Sequence, residues 1–239
     1  MSIDTIGIIG AGTMGAGIAQ VAAATGFKVA LIDVDKNALS KALERISSGF
    51  DRVVKKGQMS AEAKQAALNL IRTATDYEIL AAADLIVEAA TENAEVKEKI
   101  VQAVDKTVRA EAIISTTTSS VSITKLAGFV TDPGRFIGMH FFNPVPVMKL
   151  VEVVRGLQTT DTTHHAAIEV AKKMGKTRIT VKNTPGFVVN RLLLPMINEA
   201  FFALSEGDAS AEEIDEGMKL GCNHPMGPLA LADLIGLDV

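Results

Sequence analysis

The chain has 239 residues, enough to bury a sizeable core in one large domain or two modest ones. Its 28 acidic against 24 basic side chains leave it mildly acidic, a balance that points away from nucleic-acid partners and membrane surfaces. A single cysteine, Cys222, excludes an internal disulfide framework, and no apolar run is long enough to span a bilayer. The opening IDTIGIIGAG is already strand-like, with no signal or transit character, so a cytoplasmic location is expected.

The first third alternates strand and helix. TIGIIG is a short apolar run, followed by a glycine-rich turn and the helical stretch TMGAGIAQVAAATG, which ends on Gly26. FKVALIDVD reads as a strand, Lys36 to Lys56 as a charged helix, and Ser60 with Glu62 as the start of another helix. DLIVEAA is a strand, AEVKEKIVQAVDKTV a helix, and AIISTTT a strand again. Near-continuous apolar strands separated by helices predict a mostly parallel sheet covered on both faces.

From Arg135 the spacing changes. FIGMHFF and KLVEVV are apolar runs joined by a short proline-rich loop, followed by the helix TTHHAAIEVAKKMG and the strand KTRITVKN. Beyond Thr184 the pattern is helical. Pro185 reads as a helix entry, Ser210 with Glu213 as a capping box, and a further helix follows PMGP. The expected organisation is α/β: a Rossmann-type domain over 1–184 and an all-helical domain over 185–239.

Gly10-Ala-Gly12-Thr13-Met14-Gly15 follows a predicted strand and opens a predicted helix, the context a dinucleotide-binding turn requires. The glycines allow the tight turn, close approach to a pyrophosphate and close helix–strand packing, while the helix N-terminus faces the negative charge. Asp33 ends the second strand, where a carboxylate binds both hydroxyls of an adenosine ribose and repels a 2′-phosphate. NAD is therefore favoured over NADP, with Lys36 close by and FAD still open.

His140 and Glu152 are ionisable residues inside apolar runs. Two antiparallel strands would bring them side by side, either as a buried structural pair or as an acid–base pair whose carboxylate fixes the imidazole tautomer. The only tyrosine, Tyr77, has no lysine four residues later, so a tyrosine–lysine dyad is absent. His164 and His165 read as solvated helix residues and His224 as loop packing. No spacing suggests a metal site.

GAGTMGAGIAQ, VEAATEN, TSSVSITKL, RFIGMHFFNPVPVMKLVE, NTPGFVVNRLL and MKLGCNHPMGPLALAD together resemble the L-3-hydroxyacyl-CoA dehydrogenase family, most of all its bacterial 3-hydroxybutyryl-CoA branch. The resemblance covers essentially the whole chain. It implies NAD-dependent, reversible oxidation of a short (S)-3-hydroxyacyl-CoA to the 3-ketoacyl-CoA, in fatty acid or butanoate metabolism. It also implies His140 as catalytic histidine, Glu152 as its carboxylate partner, and Ser119 and Asn190 near the substrate. Glu92, Lys97, Ser119 and Asn143 fall on NAD-contacting positions, with Asp33 and the glycine turn. Lys56 falls near the CoA moiety, with Arg52 and Lys55 on the same helix.

Two departures accompany it. Thr117 stands where the family has asparagine, offering one donor where an amide offers two. The chain stops at Val239, where relatives continue into further helices, so a homodimer or less regular homo-oligomer through the helical region is expected. Two rival readings remain: a non-catalytic or impaired NAD-binding homologue, either crystallin-like or a truncated form, and a dehydrogenase of a free hydroxy acid.

Overall fold

A computed structural model describes residues 2–236; the last three positions of the expected helical domain lie outside the described residues. The chain divides into two compact units, Met1–Pro185 and Gly186–Val239.

The first unit is an eight-stranded sheet flanked by helices. In chain order it contains β1 (Thr5–Ile9), α1 (Thr13–Ala24), β2 (Lys28–Ile32), α2 (Lys36–Lys55), α3 (Ala61–Asn69), β3 (Ile71–Ala74) and β4 (Leu85–Glu88). Then come α4 (Ala94–Thr107), β5 (Ile113–Thr116), α5 (Ile123–Ala127), β6 (Phe136–Phe141), β7 (Leu150–Arg155), α6 (Asp161–Lys173) and β8 (Thr177–Lys182). The strand order is β3-β2-β1-β4-β5-β6-β7-β8, with β3 to β6 mutually parallel and β7 antiparallel to β6. Chain direction across the sheet reverses between β1 and β4, which opens a crevice at the carboxyl ends of these strands.

Local chemistry explains the elements. α1 is built from small residues because it lies close against the first turn: a Cβ on Gly15 would stand 1.8 Å from the Gly10 carbonyl oxygen. α2 buries Leu39, Ala42, Ile46 and Phe50 along one stripe and leaves its charges outside. Side-chain oxygens of Asp35, Ser60 and Asn93 cap α2, α3 and α4. β6 is buried at all six residues, so its histidine had to be placed in the core.

Two short elements escaped the sequence reading. β3 is an edge strand with two exposed residues out of four, too short and too polar to stand out. α5 is only five residues long.

The second unit contains α7 (Val189–Glu206), α8 (Ala211–Gly221) and α9 (Pro228–Ile235). Pro185 does not open α7, contrary to expectation. Gly186 and Phe187 take positive φ (74° and 51°), which no right-handed helix contains, and the helix starts at Val189. The Ser210–Glu213 capping box forms as expected. Asp215 accepts the Leu229 and Ala230 N–H groups at 2.8 and 2.9 Å, capping α9 from a neighbouring helix. Cys222 is the exposed C-cap of α8. Among the described residues no helix is long and apolar enough to cross a membrane, and no cluster of His, Cys, Asp or Glu could hold a metal.

Candidate active site

The glycine turn lies between β1 and α1. Gly10 has φ +100°, and a Cβ there would stand 2.6 Å from the Ala89 carbonyl oxygen, so only glycine fits. No side chain caps α1, whose first-turn N–H groups are left open to an anion, and no acidic residue stands nearby in the helix. At the end of β2 the Asp33 carboxylate accepts the Ala11 N–H at 2.8 Å and the Asp35 N–H at 3.0 Å. It therefore fastens the turn that it was expected to complement. Gly10, Gly12, Thr13, Met14, Gly15 and Asp33 form one continuous edge suited to a dinucleotide pyrophosphate and ribose.

Two carboxylates organise the ends of β4 and β5. Glu88, at the end of β4, is 1 % exposed and accepts the Lys97 ammonium at 2.6 Å, the Thr116 hydroxyl at 2.7 Å and the Ala90 N–H at 2.9 Å. Lys97 is equally buried, its ammonium committed to Glu88 and in reach of Thr116. The pair anchors the Ala89–Ala90 segment that backs Gly10. Glu92, on the exposed turn before α4, accepts the Ser119 N–H at 2.8 Å and the Thr118 hydroxyl. Thr117 is buried, and its N–H bonds the Glu88 carbonyl at 2.9 Å.

His140 and Glu152 face each other directly in the β6–β7 register. His140 Nδ1 lies 2.7 Å from Glu152 Oε2, and His140 Nε2 lies 3.0 Å from Ser119 Oγ. A carboxylate only accepts, so the Nδ1–H donates a hydrogen bond to Glu152, leaving Nε2 to accept one from the Ser119 hydroxyl. Ser119 is half-buried, whereas His140 and Glu152 are 4 % and 0 % exposed. The sequence brought His140 and Glu152 together through strand pairing. Ser119 joins them only because β5 and β6 are neighbours. Phe142 packs against the imidazole with ring centroids 4.6 Å apart.

After β6 the chain turns through a cis Asn143–Pro144 bond. Val145, just beyond, packs on Gly17, where a Cβ would stand 2.9 Å from the valine Cβ. Lys176 holds this loop from behind, its buried ammonium donating to the carbonyls of Val145 and Met148, and burial lowers its pKa. Between the loop, α1 and α2 lies a groove of about 670 Å³. Thr13, Gly17 and Gln20 line one wall, Asn143 and Val145 another. On the α2 side stand Arg45, Arg52 and Lys56, seven and eleven residues apart and so on a single helix stripe. Lys55, grouped with them in the sequence, falls off that stripe and does not line the groove. Arg45 and Gln20 were missed. The helical period of α2 could have found Arg45, but nothing local marks Gln20.

Asn190 lies in the second unit, half-buried in the first turn of α7. His164 is less solvated than expected: its ring bonds the Thr180 hydroxyl at 2.8 Å, and burial, with Arg155 nearby, lowers its pKa.

Comparison with known proteins gives one consistent result. Residues 5–184 match the 3-hydroxyacyl-CoA dehydrogenase, NAD binding domain model, and residues 186–239 match the C-terminal domain model of the same family. A 3-hydroxybutyryl-CoA dehydrogenase of Bradyrhizobium diazoefficiens is 49 % identical over 99 % of this chain and 80 % of its own length. Human mitochondrial hydroxyacyl-coenzyme A dehydrogenase is 44 % identical over 99 % of this chain and 77 % of its own. The crystal structure of (S)-3-hydroxybutyryl-CoA dehydrogenase from Ralstonia eutropha superposes with a TM-score of 0.97 at 58 % identity, covering 99 % of this chain and 84 % of that one.

Proposed function

This chain belongs to the 3-hydroxyacyl-CoA dehydrogenase family and carries its NAD-binding domain, and from that premise we propose that it interconverts a short-chain (S)-3-hydroxyacyl-CoA and the 3-ketoacyl-CoA. The observation that carries the reading is the chain Ser119–His140–Glu152, set at the carboxyl edge of the sheet that also bears the glycine turn.

Bound NAD supplies the acceptor for the hydride leaving the carbinol carbon. The protein handles the proton. His140 Nε2 takes it from the substrate hydroxyl, and the Glu152 carboxylate on Nδ1 stabilises the imidazolium that results. Burial of both strengthens that stabilisation, because little water competes. Ser119, steadied through its N–H by Glu92, offers its hydroxyl to the same oxygen and keeps the imidazole aligned. Asp33 holds the adenosine ribose, and Glu92 and Asn143 border the nicotinamide side. Lys97 supports the cofactor through Glu88. Arg52 and Lys56 receive the phosphates of the CoA nucleotide. Asn190 is given a substrate-binding role on its GFVVN segment alone.

The test is NADH oxidation by acetoacetyl-CoA, followed by absorbance. His140→Gln is expected to lower turnover by about 10²–10⁴-fold, the range of general acid–base contributions, with NADH affinity kept. Near-normal turnover in that variant would remove His140 from the chemistry. A parent protein that binds NADH but turns over no thioester would be a non-catalytic homologue.

A further inference from the structure

The groove holds a side chain that neither the proton transfer nor the charge pattern accounts for. Gln20, in the second turn of α1, is 8 % exposed and lines the groove, and its amide has no hydrogen-bond partner among the described residues. The amide's oxygen and nitrogen open into the groove, where they offer an acceptor and a donor to whatever fills it.

Gly49 of α2 keeps the amide in place. A Cβ at residue 49 would stand 2.5 Å from Gln20 Oε1 and 2.6 Å from Nε2, so the amide lies flat against bare backbone. Any larger residue there would push it out. Two helices thus meet at a point where one gives up its side chain and the other presents an amide to the groove.

The chemistry around it selects the ligand group. Arg45, Arg52 and Lys56 are exposed and suit phosphates. Gln20 is buried among Ala16, Gly17 and Val145, where a charged oxygen would be poorly solvated. A phosphate only accepts and would leave Oε1 unmatched, whereas a second amide offers one donor and one acceptor and satisfies both ends. We propose that Gln20 is a specificity residue that bonds an amide of the pantetheine arm of the acyl-CoA, with Gly49 keeping its seat open. This rests on the acyl-CoA reading above.

The experiment compares acetoacetyl-CoA with acetoacetyl-pantetheine, which keeps the arm and lacks the nucleotide. Gln20→Met preserves length and removes the amide. It should raise KM for both thioesters by about five- to twentyfold, the scale of one or two neutral hydrogen bonds, with a smaller change in kcat. Gly49→Ala, which keeps the amide but displaces it, should act in the same direction. NADH affinity, measured by fluorescence, reports that the variants are folded. An unchanged KM for both thioesters in Gln20→Met overturns the proposal. A rise confined to acetoacetyl-CoA also overturns it, because the amide would then be reading the nucleotide. A parent inert towards acetoacetyl-CoA refutes the acyl-CoA reading itself, a result distinct from an active parent with indifferent variants.

Discussion

The Asp33 carboxylate, to which we assign the ribose, is already engaged by the turn. One oxygen fixes the Ala11 N–H of the glycine turn and the other the Asp35 N–H, so the acid is oriented before any ribose arrives. Pre-orientation lowers the entropy cost of binding. Asp33→Ala is expected to weaken NAD binding about ten- to hundredfold, the worth of charge-assisted bonds of about 1.5–3 kcal/mol. The loss should be smaller for NADP, because the charge that repels a 2′-phosphate has gone. Titration of both cofactors by fluorescence checks this, and equal NAD and NADP affinities in the parent would refute the role. The place of Asp33 just after the second strand was readable from the sequence. Its bond to Ala11, 22 residues away, was not, because it depends on β1 and β2 lying side by side.

At the scale of elements, α4 and its flanking turns are pinned by two ion pairs, one buried and one half-exposed. Asp105 of α4 meets the Arg135 guanidinium and accepts both the N–H and the hydroxyl of Thr131. Asp84 accepts the Asp4 and Thr5 N–H groups at 2.9 Å and pairs with Arg109. Burial alone would raise both carboxyl pKa values, but the hydrogen bonds and guanidinium partners outweigh it and hold them below the usual aspartate range. A folded-state pKa below the unfolded one means that the stabilisation is present above the unfolded value and is lost as pH falls through the depressed one. The urea midpoint should therefore be flat near neutrality and fall steeply below about pH 4. Asp105→Asn should lower stability near neutrality and flatten that acid limb. An acid limb as steep as the parent's would remove Asp105 from the account. These pairs tie segments 25 to 30 residues apart, which no local periodicity reveals.

At the scale of the molecule, the two units differ in surface. The first buries most of its apolar residues within the sheet and against the helices, and those it exposes most, Val34, Val147 and Leu157, lie in separate loops. In the second, Leu192, Leu194, Phe202, Leu220 and Leu234 are all more than half exposed. Apolar side chains gathered on one small unit mark an interaction surface in soluble proteins. We expect a second copy of the chain to cover them. Light scattering across a dilution series should show concentration-dependent association, and replacing Leu192 and Phe202 together by serine should weaken it. A parent that stays monomeric at every concentration would sink the expectation.

What the sequence determined was local. Alternating apolar runs and helical stretches, the Gly10–Gly15 turn, the Ser60, Asn93 and Ser210–Glu213 caps, and the acid after β2 each depend on residues within a turn or two of one another. The His140–Glu152 pairing was readable for a related reason, since the hairpin-like β6–β7 register follows from a short loop between two apolar runs. Tertiary structure alone decided the rest. It set Ser119 against His140, committed Lys97 to Glu88, and delayed α7 past Pro185 through two positive-φ residues. It also laid Gln20 on Gly49. These contacts join segments that become neighbours only when the strand order is complete, and a side chain's partner across that distance is set by packing, which no window of sequence contains.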